Sequence, residues 1–124
     1  MADAINPPQI RHMATLWTLT DYGDADGEWS TEQKLIEIKN AGFDGFLGRV
    51  PVVTAEHVQG YGLLFAATVD IGEAAEVEPK LQAIKAVGAV CVNVQMLDHD
   101  TSTEEAITRA RQVMDAAGLS LIHI

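Results

Sequence analysis

Three phrases in this chain end a helix, turn on a glycine and open an apolar strand: NAGFDGF (40–46), AVGAVCVNV (86–94) and AAGLSLIHI (116–124). Repetition of that pattern constrains the fold more than any other feature. Strands that alternate with helices are parallel and joined by right-handed crossovers, because a twisted strand lets the helix pack back on the sheet in one sense only. The expected order is β-α-β-α-β-α-β-α-β, an α/β chain. Two architectures satisfy it. One is the N-terminal half of a (β/α)8 TIM barrel, with about four and a half βα units. The other is a five-stranded flavodoxin-like open sheet. The last phrase favours the barrel: an open sheet would cover its final strand with a helix, and nothing follows Ile124.

The elements follow from local signals. After a Pro7-Pro8 leader (residues 1–12), the domain is expected over 13–124, cut within its fifth strand. HMATLWTL (12–19) reads as the first strand and TDYGDADGE as a loop. Ser30 caps a helix, with Gln33 completing a capping box and Gly42 supplying the left-handed exit. FDGFLGRV is the second strand, and Thr54 caps a short helix ended by Gly60. YGLLFAATVD is the third strand, followed by a helix with Pro79 in its first turn. AVCVNVQM is the fourth. Ser102 and Glu105 box the last helix, whose inward residues are expected to be Ile107, Ala110, Val113 or Met114, and Ala117, with Gly118 ending it. LSLIHI is the fifth strand.

Composition excludes several function classes. The net charge is −10, with 8 basic against 18 acidic side chains, so neither a phosphate backbone nor an anionic membrane is a natural partner. Cys91 is the single cysteine, so no disulfide forms within the chain, and its apolar setting predicts a buried, inert thiol. The N-terminus has no signal-peptide pattern, and no apolar run approaches the roughly 18 residues of a membrane span. A cytoplasmic protein is expected.

Ligands of either architecture bind beyond the C-terminal ends of the strands. That places Trp17, Thr18, Leu19 and Asp21 after the first strand, Arg49 after the second, Thr68 and Asp70 after the third, and Asn93, Gln95, Asp98, His99 and Asp100 after the fourth. Alternation puts Val90, Val92 and Val94 on one face, for helices, and Cys91, Asn93 and Gln95 on the other, toward a barrel interior. The same parity turns His123 inward. Arg49 suits a bidentate clamp on phosphate or carboxylate, and equally a surface ion pair. Trp17 suits a pocket wall or a core position, and His123 a pocket or a hydrogen-bonded core. His99 sits between two acids, but adjacent residues rarely converge on one ion, and a solvated loop is expected. The acidic stretch DYGDADGE fails as a calcium loop, since aligning Gly27 with the turn glycine leaves Tyr22 and Gln33 at acidic positions. No GxGxxG, P-loop, HExxH or GxSxG motif is present.

MATLWTLTD, NAGFDGFLGR, VGAVCVNVQ and AAGLSLIHI together resemble the opening half of the xylose-isomerase-like TIM barrels. That superfamily includes sugar and sugar-phosphate isomerases and epimerases, hydroxypyruvate isomerases, inosose dehydratases and endonuclease IV (AP endonuclease family 2). The resemblance implies a divalent metal, Mn, Mg, Zn or Co, whose first ligand would follow Ile124, so that no metal ligand falls within this fragment. It implies that the catalytic acid–base groups also lie after residue 124. Relatives carry an acid in the phrase GFDGxE, where this chain has Leu47, and that departure draws attention to Arg49. The low basic content argues against the endonuclease branch.

The expectation is therefore a fragment of a divalent-metal isomerase or epimerase acting on a small polyol, ketose or hydroxy acid. Its substrate-binding residues are expected to be Trp17, Arg49, Gln95, His99 and His123. The partner is a carbohydrate-like small molecule, with homo-oligomerisation left open, and the fragment alone is expected to be inactive. The alternative is a non-catalytic flavodoxin-like binding or regulatory module.

Overall fold

The structure, a computed structural model, describes residues 9–120. Strand β1 (Met13–Thr15) runs into a 3-10 turn, Leu16–Leu19, and a small antiparallel hairpin of β2 (Gly23–Asp24) and β3 (Gly27–Glu28). Then come α1 (Thr31–Asn40), β4 (Gly45–Gly48), α2 (Ala55–Gly60) and β5 (Leu64–Ile71). A 3-10 turn leads into α3 (Val77–Val87), and β6 (Cys91–Met96) and α4 (Thr103–Ser120) follow.

Four strands form one parallel sheet in the order β1-β4-β5-β6. Each strand pairs with the next one across a helical connection, and the order never reverses. A flavodoxin-like sheet reverses at its switch point and carries helices on both faces. Here Leu35 and Ile38 of α1, Leu81 and Ile84 of α3, and Val113 and Ala117 of α4 share one buried cluster with Phe46, Phe65, Ala67, Ile71 and Val92. The register aligns Phe46 with Phe65 and Ala67 with Val92, so these strand residues point the same way. All the helices therefore pack on one face. This is the wall of a partial (βα)8 barrel, and the open-sheet alternative falls. The rings of Phe46 and Phe65 stack at 5.1 Å in the middle of the core.

Local chemistry explains most of the element boundaries. Ser30 Oγ accepts from the Gln33 N–H at 3.1 Å, and Ser102 Oγ from the Glu105 N–H at 3.2 Å. Gly42 and Gly88, at φ +93° and +101°, turn the chain out of α1 and α3 in the left-handed region that glycine favours. Gly45 has a different reason. A Cβ there would meet the Leu64 carbonyl oxygen at 2.5 Å, so the close β4–β5 approach requires its absence. Pro79 lies in the first turn of α3, as expected.

Several expectations are corrected. The first strand is short, because after Thr15 the chain coils into the 3-10 turn, with the Thr18 and Thr20 hydroxyls donating to the Thr15 and Trp17 carbonyls at 2.7 Å. The acidic loop contains the β2–β3 hairpin. Gln33 does not return a capping bond; its amide donates to Glu37 at 3.0 Å. Cys91 is exposed rather than buried, because it shares the open face of β6 with Asn93 and Gln95. Ile107 and Met114 are exposed too. Ala110, Val113 and Ala117 face inward as expected, and Ala106 takes the place of Ile107 at the start of that stripe. Gly118 does not end that helix, and Leu119–Ser120 prolong it in place of a strand. Helical hydrogen bonds are made locally, whereas a parallel strand needs a neighbour's edge. The rest of LSLIHI, with His123, lies outside the described residues. Among the described residues no helix is long and apolar enough to cross a membrane.

Candidate functional site

Parallel pairing carries the C-terminal ends of β1, β4 and β5 to one rim. Thr15 aligns with Leu47 and Leu47 with Ala66, so the residues just beyond them, Arg49 and Thr68, come together on the open face. A cavity of about 480 Å³ opens there, lined by Thr15, Leu16, Trp17, Thr20, Gly48, Arg49, Val52 and Thr68. Its volume lies in the usual range of small-molecule pockets. A smaller cavity of about 160 Å³ adjoins it, and Arg49 and Thr68 belong to both. Asp70, Lys80 and Ile84 also line the smaller one.

Charge at this rim is paired. Arg49 Nη1 donates to Asp70 Oδ2 at 2.7 Å, with both side chains more than half exposed. An ion pair that open contributes little to stability. Its effect is to hold the guanidinium at the cavity mouth. Lys80 reaches from α3 to donate to the Asp70 carbonyl at 2.6 Å and pairs with Glu76. That bond from Lys80, together with the Glu73 N–H, holds the Glu76 carboxyl below its ordinary value.

The structure brings Trp17 and Arg49 into one cavity. Trp17 is 80% exposed, standing on the 3-10 turn that replaces the end of the expected strand. Gln95 lies on the same sheet face, aligned with Asp70, and its amide donates to Asn93 Oδ1 at 3.4 Å. It stands outside the cavity lining. His99 projects from the loop after β6, with Asp100 3.5 Å from its Nε2 and no part in either cavity. Its neighbour Asp98 is occupied in turning that loop, accepting from the Asp100 N–H at 2.9 Å and the Thr101 hydroxyl at 3.2 Å. Among the described residues no three His, Cys, Asp or Glu side chains converge, so these residues do not fit a metal ion.

Two residues escaped the sequence reading. Lys80 was legible only as the i+4 partner of Glu76. His57 of α2 is nearly buried: its Nδ1 accepts from the Thr54 N–H at 3.1 Å, and its Nε2 lies 2.7 Å from Glu32 Oε1. The Thr54–His57 half of that arrangement is a capping box that uses histidine in the place of the usual Glu or Gln.

No family model and no curated protein matches this sequence. Among solved structures the chain is similar to a Pseudomonas aeruginosa protein provisionally assigned as a dihydrodipicolinate synthetase, with a TM-score of 0.64 at 17% identity. The match covers 87% of this chain and 43% of that one. The chain thus spans less than half the length of that protein, and the likeness is one of fold.

Proposed function

We propose that this chain forms the substrate-holding wall of a barrel enzyme that isomerises or epimerises a small oxygen-rich molecule: a polyol, ketose or hydroxy acid. The observation that supports it is the convergence of Trp17, Thr15, Thr20, Arg49 and Thr68 around one cavity at the C-terminal rim. An indole offers a flat apolar surface to the C–H face of a sugar-like chain. The Thr15 and Thr68 hydroxyls can donate to its oxygens, Thr20, whose proton goes to the Trp17 carbonyl, can accept from its hydroxyls, and a guanidinium holds a negative or strongly polar end.

The reading assigns binding to these residues and leaves the proton-moving groups outside residues 9–120. Asp70 is the one carboxylate lining the cavities, and it is engaged with Arg49. The resemblance to xylose-isomerase-like barrels adds a divalent metal, Mn, Mg, Zn or Co. The described residues do not fit one, so its ligands would come from outside them.

The test is turnover by the natural protein carrying this chain, loaded in turn with each of those metals, on panels of ketoses, polyols and hydroxy acids. Interconversion of neighbouring stereocentres or of ketose and aldose is expected. Saturation with metal and no turnover on any panel would falsify the enzymatic reading. Binding without turnover would restore the reading as a non-catalytic binding module.

A further inference from the structure

The charges at the rim discriminate among the substrates that the proposed function admits, and the inference rests on that reading of the cavity. Arg49 and Lys80 are the cations there, and Asp70 and Glu76 are the acids paired with them. The four cancel. A phosphate dianion would meet no surplus positive charge and would add to a chain already at −10. A carboxylate brings a single charge and a planar pair of oxygens that matches one edge of a guanidinium. Asp70 occupies Nη1 of Arg49, which leaves the Nε–Nη2 edge for a second acceptor.

The rest of the wall reads hydroxyls. Thr68 lies beside Arg49 in both cavities and is aligned with Asn93 across the β5–β6 ladder. Thr15 and Trp17 also line the larger cavity. We infer that the ligand read here is a hydroxy-carboxylate, a sugar acid in preference to a neutral sugar or a sugar phosphate. Its carboxylate takes the free edge of Arg49, and its hydroxylated chain runs past Thr68 and Thr15 under the indole of Trp17. Asp70 serves as the orienting partner that keeps the guanidinium aimed at the cavity before the ligand arrives.

The experiment is calorimetric titration of the natural protein carrying this chain, at constant ionic strength, with D-gluconate, D-glucose, D-glucose 6-phosphate and acetate. Gluconate is expected to bind at least about ten-fold tighter than each of the others, the equivalent of one well-made charge-assisted contact. Arg49→Lys keeps the charge and loses the fork, and should weaken gluconate by about the same factor. Thr68→Val should weaken gluconate and leave acetate unchanged. Both side chains are accessible, and circular dichroism of each variant checks that the fold is kept. Glucose or glucose 6-phosphate binding as tightly as gluconate, or an Arg49→Lys variant with wild-type affinity, overturns the inference and leaves the proposed function standing. Failure of all four probes to bind overturns the inference, while turnover on the substrate panels decides the proposed function separately.

Discussion

His57 shows how one side chain can join elements that sequence keeps apart. Its Nδ1 accepts from a backbone N–H, so that nitrogen carries no proton while the Thr54 box is intact, and Nε2 is the donor toward Glu32. The bond from His57 is the main cause of a Glu32 carboxyl held below its ordinary value of 4.5. A carboxylate that ionises more readily in the folded chain adds stability above its unfolded value. That stability is lost as pH falls through the lower folded one. The melting temperature of the wild-type chain should therefore fall more steeply than that of Glu32→Gln as the pH drops below about 4.5. Melting curves of the two proteins across that range check it, and parallel acid limbs would count against the link. Glu32 is an exposed helix-start residue 25 positions from His57, and nothing local in the sequence couples them.

At the scale of elements, α4 packs on the expected Ala110, Val113 and Ala117 but not on Ile107. Arg109, four residues before Val113, turns partly inward beside that stripe, and its Nε and Nη1 are buried with no hydrogen-bond partner among the described residues. Each unsatisfied buried donor costs roughly 1–3 kcal/mol, and the cost is higher for a charged group. The placement follows from the same stripe that buries Val113 and Ala117, since residues four apart share a helix face. Arg109→Met keeps much of the aliphatic volume and removes the orphaned donors. It should raise the urea midpoint, by about 1 kcal/mol of stability after allowance for imperfect packing. A lower midpoint would mean that the guanidinium finds acceptors in solution. The sequence pattern placed most of this stripe and left Val113 against Met114 open, and it missed Ala106 because the larger apolar Ile107 stands beside it.

On the scale of the whole molecule, the sheet has one covered face and one open face. The open face carries Thr15, Leu47, Thr68, Asp70, Cys91, Asn93 and Gln95 in register, which in a closed barrel is the inner surface. Its polar content, expected from the alternation in VCVNVQM, is why the face tolerates water here. Cys91 reports on it directly. The thiol of the native 124-residue chain should react with an aromatic disulfide reagent at a rate close to that of the chain in denaturant. Protection released only on unfolding would show the face to be covered. The likeness to a protein more than twice as long is consistent with a wall whose inner surface is completed in a larger barrel.

The sequence by itself determined what short-range chemistry decides. The caps at Ser30, Thr54 and Ser102 and the left-handed exits at Gly42 and Gly88 are written in neighbouring residues. The alternation that separates valines from polar residues on β6 is equally local. So the α/β repeat and the rim where Trp17 and Arg49 meet were legible. Tertiary structure decided whatever depends on distant partners. The strand order that makes a barrel wall is a matter of which edge each strand finds. The Arg49–Asp70 and Glu32–His57 pairs bridge 21 and 25 positions. The exposure of Cys91 and of Ile107 depends on what packs against a face, which a pattern along one element does not contain.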